Sequence, residues 1–127
     1  MNFLFDNNLP KPLAMAINFL CKNNHNVVHL TDKFHHSTPD DEWLNALKVE
    51  GEWAIVTKDK NILKHPHIKA AWQEANLTTF FLTKGWSSFQ FWVIAWKIIK
   101  CWPAIEDCAA RQKQGTAIMV FPNGNLK

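Results

Sequence analysis

The 127-residue chain lacks most of the signatures that would narrow its chemistry at once. It has no P-loop, no G-x-G-x-x-G and no G-x-S-x-G, which removes the common phosphate-cradling and serine-hydrolase motifs. Its three cysteines, Cys21, Cys101 and Cys108, form an odd, widely spaced set without a C-x-x-C pair. That excludes a disulfide framework and leads us to expect reduced, buried or half-buried thiols in a cytoplasmic protein. The first residues show no basic region followed by a long apolar run and a small-residue cleavage site, so no signal peptide is expected. Repeats, low-complexity tracts and Gly/Ser linkers are also missing. The most apolar stretch, Phe89 to Trp102, is too short to span a bilayer and holds Lys97 and Lys100, so no membrane segment is expected. There is no clustered basic stripe: the net charge is +3 and the lysines are scattered. This balance permits nucleic-acid binding without specifying it.

What is present is ordinary for a globular protein: 47% hydrophobic and 20% charged residues, in a length that suits one domain, 1–127. The elements alternate. NFLFD reads as a strand, and Pro10 to Asn24 as a helix with a proline in its first turn. NVVHL (Asn26 to Leu30) reads as a strand and Thr31 to Pro39 as a loop. Asp40 to Glu50 reads as a helix, opened by acids and closed by Gly51. EWAIVT is a third strand and Lys58 to His65 a turn or short helix. Pro66 to Asn76 is a helix, Leu77 to Thr83 a fourth strand, and Ser87 to Arg111 a helix expected to bend or break at Pro103. Thr116 to Phe121 is a fifth strand. The strands are continuous apolar runs, as expected when helices cover both sheet faces. The pattern predicts an α/β, three-layer fold with a mostly parallel five-stranded sheet.

In such a sheet, ligands bind beyond the carboxyl ends of the strands. Asp6 follows the first strand. Thr31-Asp32 follow the second, with Asp40, Asp41 and Glu42 at the next helix start. Thr57-Lys58-Asp59 follow the third and Thr83-Lys84 the fourth. Carboxylates gathered on one rim repel unless a cation neutralises them. A hard ion such as Mg²⁺ suits Asp6, one of the Asp40–Glu42 group, and Asp59. Each acid also has an ordinary structural use: Asp6 on amides of the first helix, Asp40 and Asp41 as cap and first-turn acids, Asp59 as a turn cap. A phospho-receiver is excluded in detail. It needs an acidic pair after strand one and a lysine after strand five, where this chain has Asp6-Asn7 and Phe121-Pro122.

FLFDNNLP, DDEWL, AIVTKD and TTFFL followed by GW together resemble the PIN-like domains, particularly the compact group near the VapC-type toxin ribonucleases of toxin–antitoxin pairs. The resemblance covers about residues 1 to 86. It implies a sheet in the order 3-2-1-4-5, with Asp6 at the switch between strands one and four. It also implies a Mg²⁺- or Mn²⁺-dependent ribonuclease that hydrolyses RNA and is held by a cognate antitoxin. By position, Asp6 and Asp59 match metal-binding acids, with Asp41 favoured as the second acid and Asp40 next. Thr57 matches a supporting hydroxyl. Lys58 or Lys84 would contact the RNA backbone, and Trp86 is the rim candidate for contacting a base.

Asn7 stands where many such sequences have another acid, and Thr83-Lys84 where a fourth is expected. Those departures support the alternative of a catalytically degraded PIN-like scaffold that acts by protein or RNA binding. His35-His36 and His65-Pro66-His67 lack zinc-site spacing and are read as loop or surface histidines. On the Phe89–Trp102 helix, Gln90, Lys97 and Lys100 make a narrow polar strip, leaving more than one apolar face. We expect that helix to be wedged in the core, to form a homodimer interface, or to receive an antitoxin segment.

Overall fold

The computed structural model describes residues 1–21, 25–58 and 63–127. Along the chain run β1 (Asn2–Phe5), α1 (Lys11–Cys21), β2 (Asn26–His29), α2 (Leu30–Lys33), α3 (Asp40–Glu50) and β3 (Trp53–Thr57). There follow α4 (Pro66–Ala75), β4 (Thr78–Leu82), a 3-10 helix (Lys84–Ser88), α5 (Phe91–Arg111) and β5 (Ala117–Val120). All strand pairs are parallel.

Side-chain alternation along the strands builds two cores. Phe3, Phe5, Ala54, Val56, Phe80, Leu82, Ile118 and Val120 face α1 and α5, whose Leu13, Ile17, Ile98 and Ile105 complete that layer. Leu4, Ile55 and Phe81 point the other way, against Trp43, Leu44 and Leu47 of α3 and Ile68 of α4. With both faces covered, every residue of β3 and β4 is buried. This is the reason those segments read as apolar runs rather than alternations.

The expected α/β class holds. Counted along the chain, the sheet order is β2-β1-β3-β4-β5, where 3-2-1-4-5 was expected. β3 lies inside the sheet between β1 and β4, and β2 takes the edge. The burial patterns fit that order: five of five β3 residues are buried, whereas β2 leaves Asn26 exposed and Val28 half-covered. The switch point therefore lies between β1 and β3. One connection leaves β1 outward to β2, and the next returns past it to β3.

Three local expectations change. Leu30, expected to end the second strand, and Thr31, Asp32 and Lys33, expected as loop, form a helical turn. The helix after β4 starts at Phe91, not Ser87, because the preceding 3-10 turn folds Trp86 inward. α5 also runs unbroken through Pro103. That proline sits on the exposed side, where its missing N–H and bulk are best tolerated, while Ile98, Trp102 and Ile105 anchor the inner face. Among the described residues, no helix is long and apolar enough to cross a membrane.

Candidate functional site

β1 delivers Asp6 to the carboxyl edge of the sheet. Phe5 is in register with His29 on one side and Val56 on the other, and the Asp6 N–H donates to the Val56 carbonyl at 3.0 Å. The carboxylate is then held from several directions. Oδ1 accepts from the Asn7 N–H at 2.7 Å, and Oδ2 accepts from the Thr57 hydroxyl at 2.8 Å and the Asn8 amide at 3.4 Å. Asn8 also donates to Thr57 Oγ1 at 3.1 Å and accepts from the Lys58 N–H at 3.0 Å. The first strand's turn is thereby laced to the end of the third. The Asn7 contact is the amide-binding use expected of a strand-end acid; the Thr57 contact reaches beyond it.

His29 secures the same turn from the other flank. Its Nδ1 accepts from the Thr31 N–H at 3.3 Å and the Thr31 hydroxyl at 2.8 Å, so the ring proton lies on Nε2 and is donated to the Leu9 carbonyl at 2.8 Å. His29 is buried, and its polar atoms are satisfied. Neither His29 nor Asn8 was anticipated. The only sequence signals were a histidine closing an apolar strand and a second asparagine after Asp6.

In front of Asp6 opens a cleft of about 310 Å³, walled by Asn7, Asn8, Thr31, His35, His36 and Asp40, with Phe34 and Trp43 also lining it. Asp40 is held there by the Trp43 indole N–H, which donates to Oδ1 at 2.9 Å. Asp41, the favoured second acid, does not share this cleft. It faces a separate groove between α3 and α4 with Asn45, Lys48 and Glu74. Adjacent helix residues point about 100° apart, so only one of the pair can face Asp6. Asp32 pairs with Lys11 at 2.6 Å on the surface. Asp59, the expected third acid, lies outside the described residues.

Lys84 is exposed beyond β4, and the Lys58 backbone is fixed by Asn8. Trp86 is not a rim residue. Its side chain is 0% exposed, its indole N–H donates to the Val120 carbonyl at 2.9 Å, and Phe89 packs edge-on against it. An indole satisfied inside the core has no face left for a base.

The cleft's donors, Asp6 and Asp40 with amide and hydroxyl oxygens around them, are hard ligands of the kind Mg²⁺ and Mn²⁺ take. Among the described residues, no group of three or more His, Cys, Asp or Glu side chains is placed to hold a metal ion. Mg²⁺ needs only one or two carboxylates beside its waters, so the donor types in the cleft suit it. Thiol chemistry lies elsewhere: burial pushes the Cys21, Cys101 and Cys108 thiols up, away from the reactive thiolate.

Comparison with curated proteins and with solved structures gives no match. A family model described as a PIN like domain matches residues 1–84, from β1 to the lysine after β4. Asp6, Asn8, Thr57 and Asp40 all fall within that span, and the chain belongs to the PIN like domain family, a fold of nuclease type.

Proposed function

We propose that this protein is a metal-dependent endoribonuclease, the toxin of a toxin–antitoxin pair. The observation that carries the reading is Asp6: a strand-terminal carboxylate, fixed by Thr57 and Asn8 at the sheet's switch point, in one cleft with Asp40. Asp6 and Asp40 would hold Mg²⁺ or Mn²⁺, with Asp59 supplying the third acid by its position after β3. A bound ion of this kind would supply polarisation of the scissile phosphate and a lowered pKa for a water.

The chain's own groups do the positioning. Thr57 and Asn8 orient Asp6 Oδ2, His29 fixes the turn that carries it, and the Trp43 indole orients Asp40. Asn7 is neutral, which limits repulsion of an approaching phosphate. Lys58 and Lys84, beyond β3 and β4, attract the backbone without reading bases. In this reading the second acid is Asp40, because it is the member of the Asp40–Asp41 pair that faces Asp6.

A protein partner is supported by apolar surface on the α1–α5 layer. Phe19 is 83% exposed and Trp92 78%, with Met15, Leu20 and Ile99 also open to solvent. Isolated apolar side chains are common on surfaces, but this many on two neighbouring helices mark an interface for an antitoxin or a second copy.

The scaffold reading has its own support in Asn7 and Lys84, which stand where acids are expected. Calorimetry with Mn²⁺ separates the two. The nuclease reading predicts one binding event, abolished in Asp6→Ala; a wild-type protein that binds no Mn²⁺ at millimolar concentration is a scaffold.

A further inference from the structure

Beyond β5 the same edge of the sheet carries a second hollow, of about 280 Å³. One wall is the middle of α5, with Trp96, Lys97, Lys100, Cys101 and Ala104. The other is the turn after β5, Pro122 to Gly124. Because all strands are parallel, this turn and Asp6 lie on the same carboxyl edge.

The hollow is built rather than incidental. The Gly124 N–H donates to the Phe121 carbonyl at 2.8 Å, and the Phe121 N–H to the Asn125 carbonyl at 2.9 Å. The Pro122 ring lies so close to Gly85 that a Cβ there would come within 2.8 Å of Pro122 Cγ. Lys97 is half-buried, and its Nζ donates to the Pro122 carbonyl at 3.2 Å. The ammonium sits 4.9 Å from the Trp96 ring centroid and 5.1 Å from that of Phe89. A fixed positive charge therefore lies against an indole that is 52% exposed. Lys100 adds a second ammonium with no ion-pair partner among the described residues, and no described carboxylate lines the hollow.

We propose that this hollow is a nucleotide subsite for single-stranded RNA, in which an unpaired base stacks on Trp96 and the neighbouring phosphate pairs with Lys97 and Lys100. The proposal rests on the nuclease reading and names where its substrate extends. A positive, aromatic-walled hollow matches a phosphate joined to a flat ring. Its position adds the direction. The ends of β1 and β5 are three strand spacings apart, roughly 14 Å. Lys58 and Lys84 mark the ends of β3 and β4 between them. A single strand laid along this edge would pass from Trp96 over those lysines to the Asp6 cleft. The aromatic contact that Trp86 cannot make, being buried, falls to Trp96.

The test measures affinity by fluorescence anisotropy, in EDTA, for a labelled twelve-residue oligouridine and a labelled trinucleotide. Trp96→Ala is expected to weaken the twelve-residue RNA about tenfold and leave the trinucleotide unchanged, with Trp96→Phe restoring most of the loss. Lys100→Gln is expected to lower the slope of log affinity against log salt by about one. If wild-type protein binds RNA in EDTA and cleaves it in Mn²⁺ while all three variants match it, the subsite is wrong and the nuclease reading survives. If wild type neither binds nor cleaves either RNA, both fall together. If Trp96→Ala changes the molar mass in light scattering and leaves RNA affinity intact, Trp96 is a protein contact and the subsite is overturned.

Discussion

The Thr57 hydroxyl donates to Asp6 Oδ2 at 2.8 Å, joining the ends of two parallel strands that are adjacent in the sheet and 51 residues apart in sequence. This bond sets which way the Asp6 carboxylate points. Thr57→Val keeps the shape and removes the donor. We expect stability to fall by about 1 kcal/mol and metal affinity to fall about tenfold, read by urea denaturation and Mn²⁺ calorimetry. An unchanged Mn²⁺ affinity would leave Thr57 with a packing role only.

The cysteines give a pH dependence. Burial is the first cause that raises the Cys21, Cys101 and Cys108 thiols above 9.0. Near Cys21, the Trp102 indole opposes this and the Glu106 carboxylate adds to it. A pKa raised by folding means that the unfolded chain loses its protons first. The contribution is therefore complete below pH 9 and declines as pH rises through the folded values. The melting temperature should therefore drop as pH rises above 9, and less steeply in Cys101→Ala/Cys108→Ala. Equal slopes in the two proteins would remove the thiols as the cause.

The α1–α5 face gives a third prediction. Its two most exposed side chains are Phe19 and Trp92, at 83% and 78%. Phe19→Asp/Trp92→Asp should change stability by no more than about 1 kcal/mol. It should also convert any dimer seen by light scattering to monomer and weaken capture of a cognate antitoxin. If wild type is monomeric at high concentration and the double variant still binds the antitoxin, this face is not the interface.

Much of the frame was legible because local rules decided it. Acids at Asp40 to Glu42 and a glycine at 51 bound α3 at both ends. The largely apolar β3 and β4 announced a covered sheet. The place of Asp6 at the end of β1 was legible because a carboxylate interrupts a buried apolar run there.

The rest depended on distant partners. The strand order turned on where β3 docks, which its own residues do not encode. Trp86 looked free because its acceptor, the Val120 carbonyl, comes from a strand 34 residues later. The choice between Asp40 and Asp41 depended on how α3 rolls onto Leu4 and Ile55 through Trp43, Leu44 and Leu47. Pro103 looked like a break because its position on the outer side of α5 is fixed only once the inner side is packed. Phe19 reads in the sequence only as one of several apolar helix residues, and its exposure shows once its neighbour Leu20 is seen beside Ile99 of α5.

The central claim is that Asp6 and Asp40 act on RNA through one bound ion. The direct measurement is cleavage of a long single-stranded RNA in Mg²⁺ or Mn²⁺ by wild type, Asp6→Asn, Asp40→Asn and Asp41→Asn, each shown folded by circular dichroism. The account predicts cleavage by wild type that EDTA abolishes, a loss of about 100-fold or more in Asp6→Asn and Asp40→Asn, and near-normal activity in Asp41→Asn. Cleavage that survives EDTA or Asp6→Asn would contradict it, as would a wild-type protein that cuts nothing in either ion.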